Sequence, residues 1–465
     1  MNEMKRNEFN TLQKLLDDRQ YSSLMRRLDE ISPIDAAEFL TELPIDRLPF
    51  VFRLLKKDTA AEIFAELDPD LQEHIVSALS DKEMTEILEE LAVDDAVDML
   101  EEMPASVVKR ILQNADPTTR AELNRFLAYP DGSAGSVMTS EFIALRKSMT
   151  CAEAVQKIRR TGPEKETVYV AYVTDFSLVL HGVVELRQLL FAEPEDLIEN
   201  IMNPDVVHAH THDHQEEVAA LISRYDLIAL PVVDQEDRLV GIVTVDDALD
   251  VIEAEATEDI EKMAAILPTD KPYLKTGVFE TWKKRIPWLL LLMISAAFTS
   301  SIITHYETAI GTYAILTAFF PMLMDTGGNA GGQTSVTVIR GLSLGEIAAG
   351  DIFRVIWKEL RVSFLCGITL AAATFIKVYA VDFGFQATSV LANGTVQNNL
   401  LITGIICFTV CSAVIVAKLV GTLLPIGAKR VGLDPAVMAS PFITTIVDVV
   451  VLFIYFTVAS ALLPM

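Results

Sequence analysis

The chain has 465 residues, of which 65 are acidic, 38 basic and 51% hydrophobic, for a formal net charge of −27. Such acidity excludes a nucleic-acid binder and favours cations as partners. The charge is split: residues 1–270 hold 56 acidic and 25 basic residues, residues 271–465 only 9 and 13, so a soluble acidic body precedes an apolar one.

The first residues, MNEMKRNEFN, have no apolar core. No cleaved signal is therefore expected, and the N-terminus is expected in the cytoplasm. Residues 1–130 read as helical, being leucine-rich and charged with almost no glycine. Leu43, Leu55, Leu67, Leu79, Leu91, Met103 and Ala115 recur every twelfth residue, each followed within three positions by a Pro, Asp or Ser that suits a turn or N-cap. Short helices at a fixed period predict a superhelical array that buries its core only between neighbouring repeats.

Residues 131–253 alternate short β-branched runs (TVYVAYV, LHGVV, IALPVVD, RLVGIVTV) with helical segments such as Thr150 to Arg160 and Gln215 to Arg224. The unit occurs twice: SVMTSEFIAL matches NIMNPDVVHA, and HGVVELRQLL matches VGIVTVDDAL. This duplication resembles a tandem pair of cystathionine-β-synthase (CBS) modules. That resemblance implies adenine nucleotides, ATP among them, or ions as ligands of the pair. Thr244-Val-Asp-Asp247 fits the expected ribose-binding stretch, and Arg187 is the candidate phosphate contact in the first module. His208, His210, His212 and His214 alternate in HAHTHDH. Two readings stand, a Zn²⁺ or Ni²⁺ site and a solvated loop leading into the helix at Gln215; the second is preferred.

An acidic helical segment, residues 254–284, leads to apolar spans expected near Ile286–Thr304, Thr308–Ile339, Val362–Val381, Leu400–Leu424 and Val437–Leu463. Lys283, Lys284 and Arg285, then Arg340, Arg354, Lys358 and Arg361, then Lys429 and Arg430 place alternate loops in the cytoplasm. Five spans with the C-terminus outside follow. The second is expected to be interrupted at PMLMDTGGNAGGQTS, where four glycines, Asn329 and Gln333 suit a pore-lining turn; a close crossing of small residues is the alternative. Asp448 sits mid-span, and a carboxylate there costs roughly 2.5–3.5 kcal/mol on insertion scales. It should face a bundle interior or a watery path. Ser440, Thr444 and Thr445 place hydroxyls on its cytoplasmic side, and oxygen donors around one carboxylate suit a hard cation. Lys377 and Lys418 read as snorkelling lysines. There is no GxxxxGK[ST] loop and no Ser/His/Asp order, so no enzyme is expected.

PMLMDTGGNAGGQ, ASPFITTIVD and the order of helical repeat (1–130), CBS pair (131–253), connecting helix (254–284) and membrane helices (285–465) together resemble the MgtE family of magnesium channels. The resemblance implies a homodimer in the lipid bilayer of the cell membrane, with the pore on its two-fold axis. It makes Asp448 the pore acid, beside Asn329, Ser440 and Thr444. It also implies that Mg²⁺ is sensed in the cytosol. The candidates are Asp94, Asp95 and Asp98 in the helical domain, Glu216 and Asp226 in the second module, and Asp246, Asp247, Asp250, Glu255, Glu258 and Asp259 leading out. A coupled transporter of Mg²⁺ or Co²⁺ and a non-transporting CBS sensor are the alternatives.

Overall fold

A computed structural model describes residues 3–269, 273–274, 276–307, 313–390, 396–438 and 440–463. The chain divides into two units, Met1–Ile252 and Glu253–Met465.

The first unit opens with α1 (Glu3–Asp17), α2 (Tyr21–Leu28), α3 (Pro33–Thr41), α4 (Leu48–Phe52), α5 (Lys57–Ala65), α6 (Pro69–Ala78), α7 (Asp81–Leu88), α8 (Val93–Glu102), α9 (Ala105–Asn114) and α10 (Pro117–Phe126). The twelve-residue period marks where these helices end. Leu79, Met103 and Ala115 are the C-caps of α6, α8 and α9, in extended backbone and buried in the common core. The next residue starts the next helix: Ser80 forms a capping box with Glu83, and Asp116 accepts the Thr118 and Thr119 amides. Each apolar residue thus anchors a turn while its neighbour caps. Helices then pack on their next-but-one neighbours, α3 on α5, α5 on α7 and α7 on α9 in one row, α4 on α6, α6 on α8 and α8 on α10 in the other.

The CBS pair comprises β1 (Ala144–Leu145), α11 (Cys151–Thr161), β2 (Val170–Thr174), β3 (Leu180–Glu185), α12 (Leu186–Phe191), α13 (Ile198–Ile201), β4 (Ala209–His210), α14 (Gln215–Tyr225), β5 (Ala229–Val233), β6 (Leu239–Thr244) and α15 (Val245–Met263). The sheets β1-β2-β3 and β4-β5-β6 repeat one topology, a parallel pair followed by an antiparallel one, each bulged near the end of its hairpin. The modules exchange segments: Asn203 bridges to Val183, and Thr139 bridges to Ile242. Glycine is needed at both crossings. A Cβ on Gly182 would lie 2.8 Å from Met202 Sδ, and one on Gly241 2.6 Å from Met138 Sδ and 2.9 Å from the Thr139 carbonyl. The duplication expected from sequence is therefore present, with its glycines and methionines in equivalent places.

The second unit holds the rest of α15, then α16 (Val278–His305), α17 (Phe320–Ser343), α18 (Ile352–Phe375), β7 (Thr388–Val390), β8 (Val396–Asn398), α19 (Asn399–Arg430) and α20 (Ser440–Leu462). Among the described residues, four helical stretches, Val278–His305, Ile352–Asp382, Asn399–Arg430 and Pro435–Leu462, are long and apolar enough to cross a membrane. The expected start of the second span, 308–312, lies outside the described residues. The expected interruption does not occur. From Phe320 to Ser343 the helix is continuous, with Gly327, Gly328, Gly331 and Gly332 buried inside it. The glycines serve close approach instead. A Cβ on Gly331 would meet Ile443 at 2.7 Å, one on Gly327 would meet Val447 at 2.8 Å, and one on Gly421 of α19 would meet the Gly331 carbonyl at 2.4 Å. Intrahelical hydrogen bonds satisfy the backbone, so packing offsets the poor helix propensity of glycine.

Candidate cation sites

In the first unit α8 reads VDDAVDMLEE, and burying Ala96, Val97, Met99 and Leu100 turns Asp94, Asp95 and Asp98 to another face. Glu166, just before β2, and Asp247, in the first turn of α15, bring further carboxylates to Asp94. Asp94 Oδ1 is buried without a hydrogen-bond partner, which is costly for a carboxylate unless a proton or a cation joins it. Burial first, then Asp95, Asp247 and Glu166, push the Asp94 carboxyl up to about 8. Partial desolvation, then Asp247 and Glu66, raise Asp95 to about 6, although its side chain keeps an exposed face. Partial desolvation with Glu101, Asp95 and Asp247 raises Asp98 to about 7, and partial desolvation with Asp247 and Asp246 raises Glu166 to about 7, although both side chains keep an exposed face. Asp247 is also held above its usual range, by burial first and then by Asp246 and Asp250, although Thr244 pulls the other way.

Sequence reasoning placed Asp94, Asp95, Asp98, Asp246, Asp247 and Asp250 among the candidates and missed Glu166. Nothing in the stretch GPEKET singles that residue out. Glu216 opens α14 and Asp226, at a left-handed φ of 52°, closes it, so these two sit at opposite ends of one helix. Asp226 lines a cleft of 870 Å³ between the modules together with Tyr169, Arg187, Asn203, Asp205 and Tyr225. Arg187, the expected phosphate contact, lines this cleft. Thr244 and Asp247 are not in that lining; their side chains hydrogen-bond to each other at the start of α15.

In the second unit Glu258 Oε1 lies 2.6 Å from Lys262 Nζ, which also donates to Asp434 Oδ2 at 2.7 Å. Burial pulls the Lys262 ammonium down, but Asp434 and Glu258 hold it above its usual value. Met263 packs on Ile339 and Ala436 beside them. The end of α15 is thus fastened to the segments that precede α20 and end α17. Glu255 and Asp259 share the Glu258 face by helical spacing.

Asp448 lies near the middle of α20, half-buried, and its Oδ1 is buried with no hydrogen-bond partner. Thr444, one turn earlier, lies against Gly328, whose added Cβ would come within 3.0 Å of the threonine methyl. Ser440 begins the helix; its side chain lies outside the described residues. Asn329 is exposed on α17, in register with exposed Asp325, Gln333 and Thr337 at steps of four. Such spacing makes one stripe along the helix. Asp325 was not among the expected site residues, although this period is readable in the sequence. Lys418 does not snorkel. It is 7% exposed, its Nζ donates to Thr334 Oγ1 at 3.0 Å and lies 3.6 Å from Glu359 Oε2, so three helices share one buried pair. Lys377, by contrast, is exposed and pairs with Asp382 at 2.7 Å.

These features define a membrane protein whose helical body, among the described residues, holds a half-buried carboxylate with one oxygen unpartnered, and whose acidic soluble body is built on a CBS pair. Comparison with known proteins gives the family. Residues 320–458 match the MgtE divalent cation transporter domain, 31–132 the MgtE intracellular N domain and 198–254 a CBS domain. The chain is 38% identical to the magnesium transporter MgtE of Thermus thermophilus, covering 97% of this chain and 98% of that protein. It is 31% identical to the magnesium transporter MgtE of Bacillus subtilis, over 96% and 95%. A solved cytosolic domain of the Mg²⁺ channel MgtE in complex with ATP is 42% identical, with a TM-score of 0.50, covering 52% of this chain and 99% of that one. The chain belongs to the MgtE family.

Proposed function

We propose that the protein is a Mg²⁺-selective homodimeric channel of the cell membrane, closed when cytosolic Mg²⁺ binds the acidic faces of its soluble body. The observation that carries the gate is Asp94, a buried carboxylate oxygen without a partner among four further acidic groups held above their usual range. Five such groups repel one another until protons or a small hard cation neutralise them. Mg²⁺ binds carboxylates through few direct contacts and keeps much of its water, which suits side chains contributed by different elements. An ion that prefers the arrangement in which α8 meets α15 shifts the population towards it. Since α15 continues to Lys262 and its Asp434 contact, the helix is the element through which that population reaches the pore.

In the membrane, Asp448 is the ion-attracting group. Two copies across a two-fold axis repel unless a divalent cation lies between them. The stripe of Asp325, Asn329, Gln333 and Thr337, polar and exposed in a single chain, needs water or a second subunit at membrane depth. Five spans, a cytoplasmic N-terminus and an external C-terminus complete this reading. Coupled transport loses its main structural motive because α17 is unbroken. For the nucleotide, the 870 Å³ cleft is of ligand size and has Arg187 for phosphate and Asp226 for a ribose; ATP there would be a regulator.

The gate is tested with internal Mg²⁺ clamped at rising levels in proteoliposomes. Asp94→Asn channels should stay open at an internal Mg²⁺ concentration that closes the natural protein. An unchanged closing concentration would remove Asp94 from the gate.

A further inference from the structure

The function proposed above does not use the histidine-rich stretch, and the fold sorts its members. His208 and His210 stand two residues apart where the chain enters β4, so the strand pleat sends both rings to one side. Their ring centroids are 5.5 Å apart. Asp237 arrives at the same place from the turn between β5 and β6, in left-handed backbone at φ 57°. One ligand atom from each of the three lies within 4.8 Å of the others, and all three side chains are exposed. The remaining histidines are used elsewhere. His212 packs edge-on to Tyr129 and hydrogen-bonds Thr211, and His214 caps α14 by accepting the Glu216 amide.

The surroundings of the two rings orient them. His208 Nδ1 lies 3.1 Å from the Val206 carbonyl oxygen, which can only accept. Nδ1 therefore carries the proton and Nε2 keeps its lone pair. His210 Nδ1 faces Asp213 Oδ2 at 3.9 Å, and that oxygen also accepts the His210 backbone amide at 2.7 Å. The carbonyl bonded behind His208 is the kind of support that metal-binding histidines usually have, and a carboxylate stands near the back of His210.

We propose that His208, His210 and Asp237 bind one divalent transition-metal ion of the zinc class. Imidazole nitrogen suits such ions and is a poor donor for Mg²⁺, so this site differs in chemistry from the carboxylates of α8 and α15. Tetrahedral bonds of about 2.0–2.1 Å set ligand atoms roughly 3.3 Å apart, so the exposed side chains need to close by no more than about 1.5 Å. Two histidines and one carboxylate leave a position for solvent. The ion also has a mechanical consequence. The Asp237 carbonyl accepts the Leu180 amide at 3.0 Å, and the Leu239 amide donates to the Leu178 carbonyl at 2.9 Å. The Asp237 turn is thus bonded to the first CBS module, and a metal fixing it to β4 stiffens the junction of the two modules.

The test is titration of the purified full-length protein with Zn²⁺ by calorimetry, and with Co²⁺ by its visible absorption, in millimolar Mg²⁺ to fill the carboxylate sites. The expected result is one ion per chain, weakened by about tenfold or more in His208→Ala and in Asp237→Asn, and unchanged in His212→Ala. Asparagine tolerates left-handed backbone, so Asp237→Asn keeps the turn while weakening the ligand. Absence of Zn²⁺ binding in Mg²⁺ would overturn the proposal. So would an undiminished affinity in Asp237→Asn, or a loss in His212→Ala equal to that in His208→Ala, which would indicate a flexible histidine tract instead of a built site.

Discussion

Asp94 concentrates the electrostatics of the soluble body in one side chain. Its carboxyl is pushed to about 8, whereas an unfolded chain loses that proton near pH 3.9. Between those values the folded state holds more protons than the unfolded state, so stability falls as pH rises through the window. Asp98 and Glu166, each raised to about 7 but exposed and therefore screened, act more weakly in the same direction. Without Mg²⁺, the melting temperature of the soluble body should therefore decline between about pH 5 and about pH 8. Mg²⁺ should restore it, and more strongly at the higher pH because fewer protons compete with the ion. Asp94→Asn should raise the Mg²⁺-free melting temperature at about pH 8 by roughly 2–4 °C, the change expected of about 1 kcal/mol in a body of this size. A melting temperature that rises with pH in the absence of Mg²⁺ would contradict this account of the cluster.

At the scale of elements, α17 shows where sequence reasoning stops. Glycine content predicted a break, since intrinsic propensity is all that a single segment reveals. The deciding term is tertiary: α19 and α20 approach so closely that only glycine fits at 327, 331 and 421. The same limit explains Lys418, whose partner Glu359 is 59 residues away and gives no local signal. Short-range patterns fared better. The twelve-residue period, the paired β1-β2-β3 and β4-β5-β6 sheets and the mid-span Asp448 were all legible, because each depends on spacing within a segment or on its repetition. Gly421→Ala tests the packing account. Its methyl would meet the backbone carbonyl of Gly331 at 2.4 Å, which no rotamer relieves. The detergent-solubilised protein should lose about 1–3 kcal/mol of stability, the usual range for overpacking, read as a lower unfolding temperature. An unchanged unfolding temperature would mean that the two helices separate freely.

Across the whole molecule, the charge division seen in the composition becomes a division of labour. The acidic unit gathers carboxylates whose charges oppose one another, and among the described residues the apolar unit has a buried oxygen of Asp448 that lacks a protein partner. Asp448 was identifiable because an ionisable residue in an apolar span is rare and expensive. Glu166 and the splitting of the histidine run were not, since both depend on where distant turns arrive. The central claim, passive Mg²⁺ conduction through Asp448 under control of internal Mg²⁺, is tested most directly by Mg²⁺ influx into proteoliposomes. The natural protein and Asp448→Asn are compared with internal Mg²⁺ first low and then millimolar. The account predicts flux in the natural protein that falls when internal Mg²⁺ is raised, and little flux in the variant under either condition. Equal flux in the two proteins would contradict the role of Asp448, and flux indifferent to internal Mg²⁺ would contradict the gate.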